Sequence, residues 1–465
     1  MNEEQIIKQI DQFIENNKTN LLNDIKKLVD IPSVEASAVG NAPFGENVDR
    51  ALNHVLNLAK EMNLETKNVD GYFGYADIKG KSDKQIAAIT HVDVVPAGNG
   101  WTHDPFDMIE KEGYILGRGV ADDKGPCMLT LYMAKFFKEN NIELPHTLRI
   151  MFGTNEESGM AGLHYYQTKY ENPTFCFTPD ANFPVCFGEK GLYGGTMISE
   201  KLSGNIIEFT GGVALNVVPD LASVVIKCDA NKLPSQNNFD IENLQNGTVK
   251  ITAHGKGGHA SLPKGTVNAI KMLVDYLLDN NLCTEQENNF LNVLKVMLFD
   301  TDGKCVGIDS VDDVFDPLTS IGGTINMKDG VISQTVDIRY PTSITAQQIT
   351  NTFKELAKKA NATFKEDREV VPFVTDEKTE VVQTLIKTYN DVTGKNEKPF
   401  TMGGGTYARH FPCAVSFGPE ESNADIPSWV GGMHGADEGI SIDLLYRSLK
   451  IYILSIYRIM KLDFE

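Results

Sequence analysis

Apolar residues along roughly the first 185 positions follow two alternating rhythms. Short runs rich in Ile, Val and Leu, such as residues 85–95 (QIAAITHVDVV) and 146–153 (HTLRIMFG), are flanked by turn residues and read as buried strands. Between them, residues 124–139 carry apolar positions at helical spacing. Strands and helices in alternation build a parallel or mixed sheet covered by helices.

The texture changes near Gly188. Segments such as IIEFTGG, LASVVIKCD and TVKITAHG alternate apolar and polar residues, the pattern of antiparallel strands with one wet face. Residues 268–298 read as a long helical stretch, ISQTVDIRYP as a further strand and residues 345–362 as another helix. From about Asp376 the helical pattern EVVQTLIKTYNDVTG resumes, followed by GGGTYARHF, the strand-like CAVSFG and a closing helix, IDLLYRSLKIYILSIYRIM. A chain of 465 residues exceeds what one core supports, because single cores stop growing at roughly 250 to 300 residues. With no repeat, low-complexity tract or long Pro/Ser linker, the middle region is expected to be an insertion. The expected fold is α/β: a mixed-sheet domain formed by residues 1–187 and 376–465, with an inserted α+β domain over residues 188–375.

Charge narrows the partners. Against 43 basic residues stand 63 acidic ones, and the resulting charge of −20 repels polyphosphates and anionic lipid surfaces. Neither nucleic acid nor membrane is expected as a partner. No apolar run reaches the ~18 residues of a spanning helix. The opening MNEEQIIKQIDQFIENN is an acidic amphipathic helix pattern, without the basic and apolar regions of a secretory signal. The cysteines are odd in number, scattered and free of any C-x-x-C pair, as in a reducing compartment. A cytoplasmic location is the expectation.

Five short segments carry candidate chemistry. His91 and Asp93 sit two apart at the end of a strand-like run, on one face, as a ligating imidazole and its orienting carboxylate would; a salt-bridged core histidine is the other reading. In GRGVADDKG, Asp122 and Asp123 occupy a glycine-bracketed turn before a helix, where a carboxylate could bridge two cations or merely face solvent. GTNEESG places Glu156 and Glu157 directly after a buried strand, so one can bind metal while the other moves a proton; an exposed acidic loop is the other reading. Asp180 in FTPD and His434 in MHGADE are each weak singly.

Together HVDVVPAGNGW, GRGVADDKGP, GTNEES, FTPDA, GGHAS, IRYP, GGGTYAR and MHGADE resemble, in order and spacing, the dizinc metallopeptidase family of aminoacylases, carboxypeptidase G, succinyl-diaminopimelate desuccinylase and PepV-type dipeptidases. The PepV-type branch is the most similar, and the resemblance spans residues 91 to 438. It implies that His91 and Asp180 bind one zinc ion, Glu157 and His434 bind a second, and Asp122 bridges them across a cis Asp122–Asp123 peptide. Manganese or cobalt would suit the same donors. Glu156 would be the general base, with Asp93 behind His91. The inserted domain would be a lid, in which His259 stabilises the oxyanion while Asn216 and Arg339 contact substrate, Arg339 through its C-terminal carboxylate. Gly404, Gly405 and Thr406, in the cluster of glycines 403–405, would let backbone approach the substrate. The implied activity is hydrolysis of dipeptides or other very short peptides by a monomer. N-acyl amino acid deacylation and metal-dependent peptide binding without catalysis are the alternatives. The segment EESNADIPSWVGG before His434 departs from the branch and leaves side-chain preference open.

Overall fold

In the computed structural model of the chain, which describes residues 2–244, 247–421 and 425–464, the strand Ser82–His91 abandons polar alternation after Gln85. Ile86, Ala87, Ala88, Ile89, Thr90 and His91 are all buried, which requires cover on both faces. This strand lies at the heart of a mixed sheet. Among the described residues, six of its nine strands run, in spatial order, Glu65–Val69, Phe73–Ile78, His146–Gly153, Ser82–His91, Phe175–Thr178 and Ala414–Ser416. The last four are mutually parallel, and the first two join antiparallel. The helix Lys124–Glu139 is buried without a break from Lys124 to Ala134, so it is a core helix rather than an amphipathic surface one. The helices Glu3–Val29 and Ile442–Ile459 pack against it, and their apolar stripes join the sheet residues in one core.

This core belongs to a unit formed by Met1–Phe187, Val374–Phe400 and Gly405–Glu465. The second unit comprises Gly188–Phe373 and Thr401–Gly404. Its sheet is antiparallel throughout, in the order Phe239–Asn243, Thr248–His254, Leu221–Lys227, Ile206–Gly211, Thr319–Lys328, Val331–Tyr340, Gly191–Ile198 and Thr363–Val370. Along Val331–Tyr340 the residues Ile332, Val336, Ile338 and Tyr340 enter a core shared with the helices Ala269–Asp279, Glu285–Met297 and Ala346–Lys358. The alternate residues Thr335, Asp337 and Arg339 share the opposite face.

Local chemistry explains where elements depart from the sequence expectation. The stretch at 268–298 is two helices, because Asn281 takes the left-handed conformation (φ 52°) and Thr284 opens a new helix by a capping box with Glu287. The strand Ser82–His91 stops at His91 instead of running to Val95, since Val94 leaves the sheet to bridge Val34. The segment 420–432 lies partly outside the described residues, at positions 422–424. Among the described residues no helix is long and apolar enough to cross a membrane.

Candidate metal centre

Three neighbouring parallel strands, His146–Gly153, Ser82–His91 and Phe175–Thr178, end on the same side of the sheet, where open α/β sheets place their ligands. His91 is the last residue of the central strand, Glu156 and Glu157 follow one neighbour, and Asp180 follows the other. Asp122 stands two residues before the core helix Lys124–Glu139, and its peptide to Asp123 is cis. His434 arrives from the loop before Gly439–Ser441 with φ 62°.

These residues converge. Asp122 Oδ1 lies 3.0 Å from His91 Nε2, and Asp122 Oδ2 lies 3.0 Å from His434 Nε2. His434 Nε2 is also 3.1 Å from Glu157 Oε2, and His91 Nε2 is 3.9 Å from Asp180 Oδ2. The single carboxylate of Asp122 thus presents one oxygen to each imidazole, with a further carboxylate beyond each. Donor atoms of His91, Asp122 and Glu157 fall within 4.8 Å of one another, as do those of His91, Glu156 and Asp180. Glu156 therefore stands within 4.8 Å of donor atoms of both His91 and Asp180.

The residues present fit divalent cations. His91 Nε2, Asp122 Oδ1 and Glu157 Oε1 are buried without a hydrogen-bond partner, although two of them lie 3.0 Å apart. Close approach without hydrogen-bonding geometry is what two ligands of one ion would show. The charge balance agrees. Burial pushes Glu156 up to about 8 against the opposing pull of His91, and the carboxylates of Glu157, Asp122 and Asp93 push the same way. Asp180 is raised well above the carboxylate range by burial and then by Asp122 and Asp123. Burial would raise Asp122 too, but the imidazoles of His434 and His91 outweigh it and hold that carboxyl below its ordinary range. The carboxylates of Asp122 and Glu157 push His434 up to about 10. Negative charge is thus in excess, and cations would relieve it.

The orientation of His91 comes from Asp93, mainly through its backbone. The ring Nδ1 lies 3.0 Å from the Asp93 carbonyl and 3.6 Å from Asp93 Oδ1, while Asp93 Oδ2 accepts from the Glu157 backbone N–H at 3.1 Å. Asp93 therefore touches two candidate ligands. Several supporting groups escaped the sequence reading. Asp123 Oδ2 accepts from the His91 backbone N–H at 3.0 Å. Lys124, buried and lowered to about 7 by that burial, donates to the Ile31 carbonyl at 2.6 Å. Tyr407 packs edge-on to His91, and Gly153 gives it room: a Cβ there would lie 1.9 Å from the Tyr407 hydroxyl. Arg118 and Glu438 form a fully buried pair beside the centre. Only proximity in sequence to Asp122 and His434 signalled them.

Asn216, His259 and Arg339 lie in the second unit. His259 pairs with Val217 in a two-stranded ribbon and is exposed. Asn216 Nδ2 lies 3.4 Å from His259 Nε2, and His259 Nδ1 lies 2.7 Å from Ser261 Oγ. Arg339 donates to both Asp337 oxygens, at 2.6 and 3.1 Å, and to the Gly403 carbonyl at 3.1 Å. Gly403 packs on Ser261 so tightly that an added Cβ would approach the Ser261 Cβ to 2.8 Å. Asn216, Asp337 and Arg339 also line a cavity of about 280 Å³. Gly404 belongs to this unit, whereas Gly405 and Thr406 belong to the other, where Thr406 caps the turn Tyr407–His410 and meets Ser416 Oγ at 3.0 Å.

A family model described as peptidase family M20/M25/M40 matches residues 87–458. The putative dipeptidase YtjP of Bacillus subtilis is 33% identical over 462 residues, covering 96% of this chain and 98% of that protein. The Beta-Ala-Xaa dipeptidase of Lactobacillus delbrueckii subsp. lactis is 32% identical over 472 residues, covering 97% and 98%. Among solved structures, the di-peptidase Dug1p of Saccharomyces cerevisiae aligns with a TM-score of 0.61 over 97% of this chain and 98% of that one, at 14% identity, which speaks to fold alone.

Proposed function

We infer, from the premise that this chain belongs to peptidase family M20/M25/M40, that it is a metal-dependent dipeptidase. The observation that carries the reading is Asp122, whose two oxygens face different imidazoles with Glu157 and Asp180 beyond them. His91 and Asp180 would hold one cation, Glu157 and His434 a second, and Asp122 both. Two imidazoles and three carboxylates suit zinc, with manganese or cobalt as substitutes. Such a pair supplies Lewis acidity at the scissile carbonyl and lowers the pKa of water.

The chain's own groups do the rest. Glu156 takes the proton of the attacking water and returns it to the departing amine, a role supported by its position beside His91 and Asp180 and by the burial that raises its proton affinity. Asp93 keeps His91 in the tautomer that leaves Nε2 free to ligate. For His259 as oxyanion donor, and for Asn216, Arg339, Gly404, Gly405 and Thr406 as substrate contacts, the support is the family resemblance. Asp337 holds the Arg339 guanidinium in a fork, which suits it to a planar carboxylate. The acidic charge and the scattered cysteines, odd in number and without a C-x-x-C pair, support a cytoplasmic enzyme acting on small peptides, and a monomer is the proposed state.

A panel of dipeptides beside N-acetyl and N-succinyl amino acids, assayed before and after chelation, tests the reading. Dipeptide cleavage that disappears with the metal and returns on adding zinc is expected. Full activity after exhaustive chelation, or preference for the acylated amino acids, would refute it.

A further inference from the structure

Asp122 and His434 are 312 positions apart in the sequence, yet they meet at 3.0 Å. His434 sits on an exposed loop in the left-handed backbone region, so its placement needs a cause. Behind it lies the Arg118–Glu438 pair, each residue no more than 1% exposed. Glu438 Oε2 accepts from Arg118 Nη1 at 2.5 Å. Glu438 Oε1 accepts from the backbone N–H groups of Gly119 (3.1 Å), Ala121 (3.0 Å) and Asp122 (3.3 Å). Arg118 Nη2 donates to the carbonyls of Ala97 (3.1 Å) and His434 (3.2 Å). One ion pair thus grips the backbone of the bridging carboxylate with one partner and the backbone of His434 with the other.

We propose that Arg118 and Glu438 are positioning residues that hold Asp122 and His434 in register, so that the second cation site, formed by Glu157 and His434, is preorganised. This rests on the metal-dependent reading above. Stability alone gives no reason for the pair: a buried ion pair roughly breaks even against apolar residues of similar volume, because desolvation offsets the attraction. Preorganisation gives one, since Glu438 Oε1 takes three backbone donors and Arg118 Nη2 gives to two backbone carbonyls, so one buried pair ties together the segments that carry Asp122 and His434. The pair reaches the site shared by His91 and Asp180 only through the Asp122 backbone, whereas it holds the second site through Asp122 and His434 together, so the second site depends on it more.

The test is titration of the metal-free protein with Zn²⁺, followed calorimetrically and with a competing chromophoric chelator, for wild type, Glu438→Gln and the double variant R118M/E438M. The double variant leaves no charge buried alone, so it guards against loss of the fold in the single variant, and melting of each metal-free protein verifies folding. Wild type is expected to take two ions. In the folded variants one of the two binding steps falls ~10- to 100-fold, the range for lost support of metal ligands, while the other moves much less. Variants that bind both ions as wild type does, or that lose both steps equally, overturn the positioning role. A wild type that binds no ion overturns the metal reading itself, which is a separate failure.

Discussion

His91 and His259 are both candidate active-site histidines, and they live in opposite surroundings. His91 is fully buried at the end of a parallel strand, with the carboxylates of Asp122, Asp93 and Asp180 around its ring. His259 is exposed on a two-stranded ribbon, with the neutral partners Asn216 and Ser261. A buried carboxylate cluster is costly without cations, whereas an exposed imidazole with neutral partners costs little and is ready to donate a hydrogen bond. One unit thus carries a buried cluster whose negative charge is in excess, while the other carries an exposed imidazole hydrogen-bonded by uncharged side chains.

Substitutions sharpen that contrast. The largest effect is expected from His91→Ala, which should abolish both metal loading and turnover, measured by elemental analysis and by dipeptide hydrolysis. Loading of two ions in this variant would contradict its placement at the centre. Glu156→Gln should retain both ions and lose turnover by ~10²- to 10⁴-fold, the usual contribution of a general base. Its failure to bind metal would make Glu156 a ligand, which its closeness to His91 and Asp180 allows geometrically. His259→Ala should keep metal affinity unchanged and lower kcat by ~10²- to 10³-fold, the cost of removing one oxyanion donor. An altered metal affinity there would break the division between the two regions.

The smallest effect concerns a third kind of histidine. His410 is pushed down to about 4 by burial, and the neighbouring His164 and Arg409 push the same way. Between its ordinary 6.5 and about 4 the unfolded chain binds a proton that the folded chain refuses. Stability is therefore fully present above pH 6.5 and falls as the pH drops toward 4. Melting of the metal-free protein across this range should show a shallower acid loss for His410→Gln than for wild type. An identical slope would contradict the assignment.

The parts of the molecule legible in the sequence are those set by local patterns. The strand His146–Gly153 and the helix Lys124–Glu139 are bounded where apolar runs meet turn residues, and the alternating segments after Gly188 form the antiparallel sheet. The break between the helices Ala269–Asp279 and Glu285–Met297 was less visible, because apolar residues continue across it and only Asn281 and Thr284 mark it. At the site, five short motifs pointed to His91, Asp122, Glu157, Asp180 and His434, and the structure gathers all five. Arg118 and Glu438 stayed hidden, because their partnership joins residues 320 apart and exists only after folding. The hold of Asp93 on His91 through a backbone carbonyl was hidden for the same reason: side-chain spacing says nothing of carbonyl direction.

Anomalous scattering from zinc-loaded crystals, collected on both sides of the absorption edge, addresses the binuclear centre most directly. The expected result is two zinc peaks ~3.5 to 4 Å apart, the separation of two-metal hydrolytic sites, one beside His91 and Asp180, the other beside His434 and Glu157, with Asp122 between them. A single peak, or zinc bound away from these five side chains, would contradict the account.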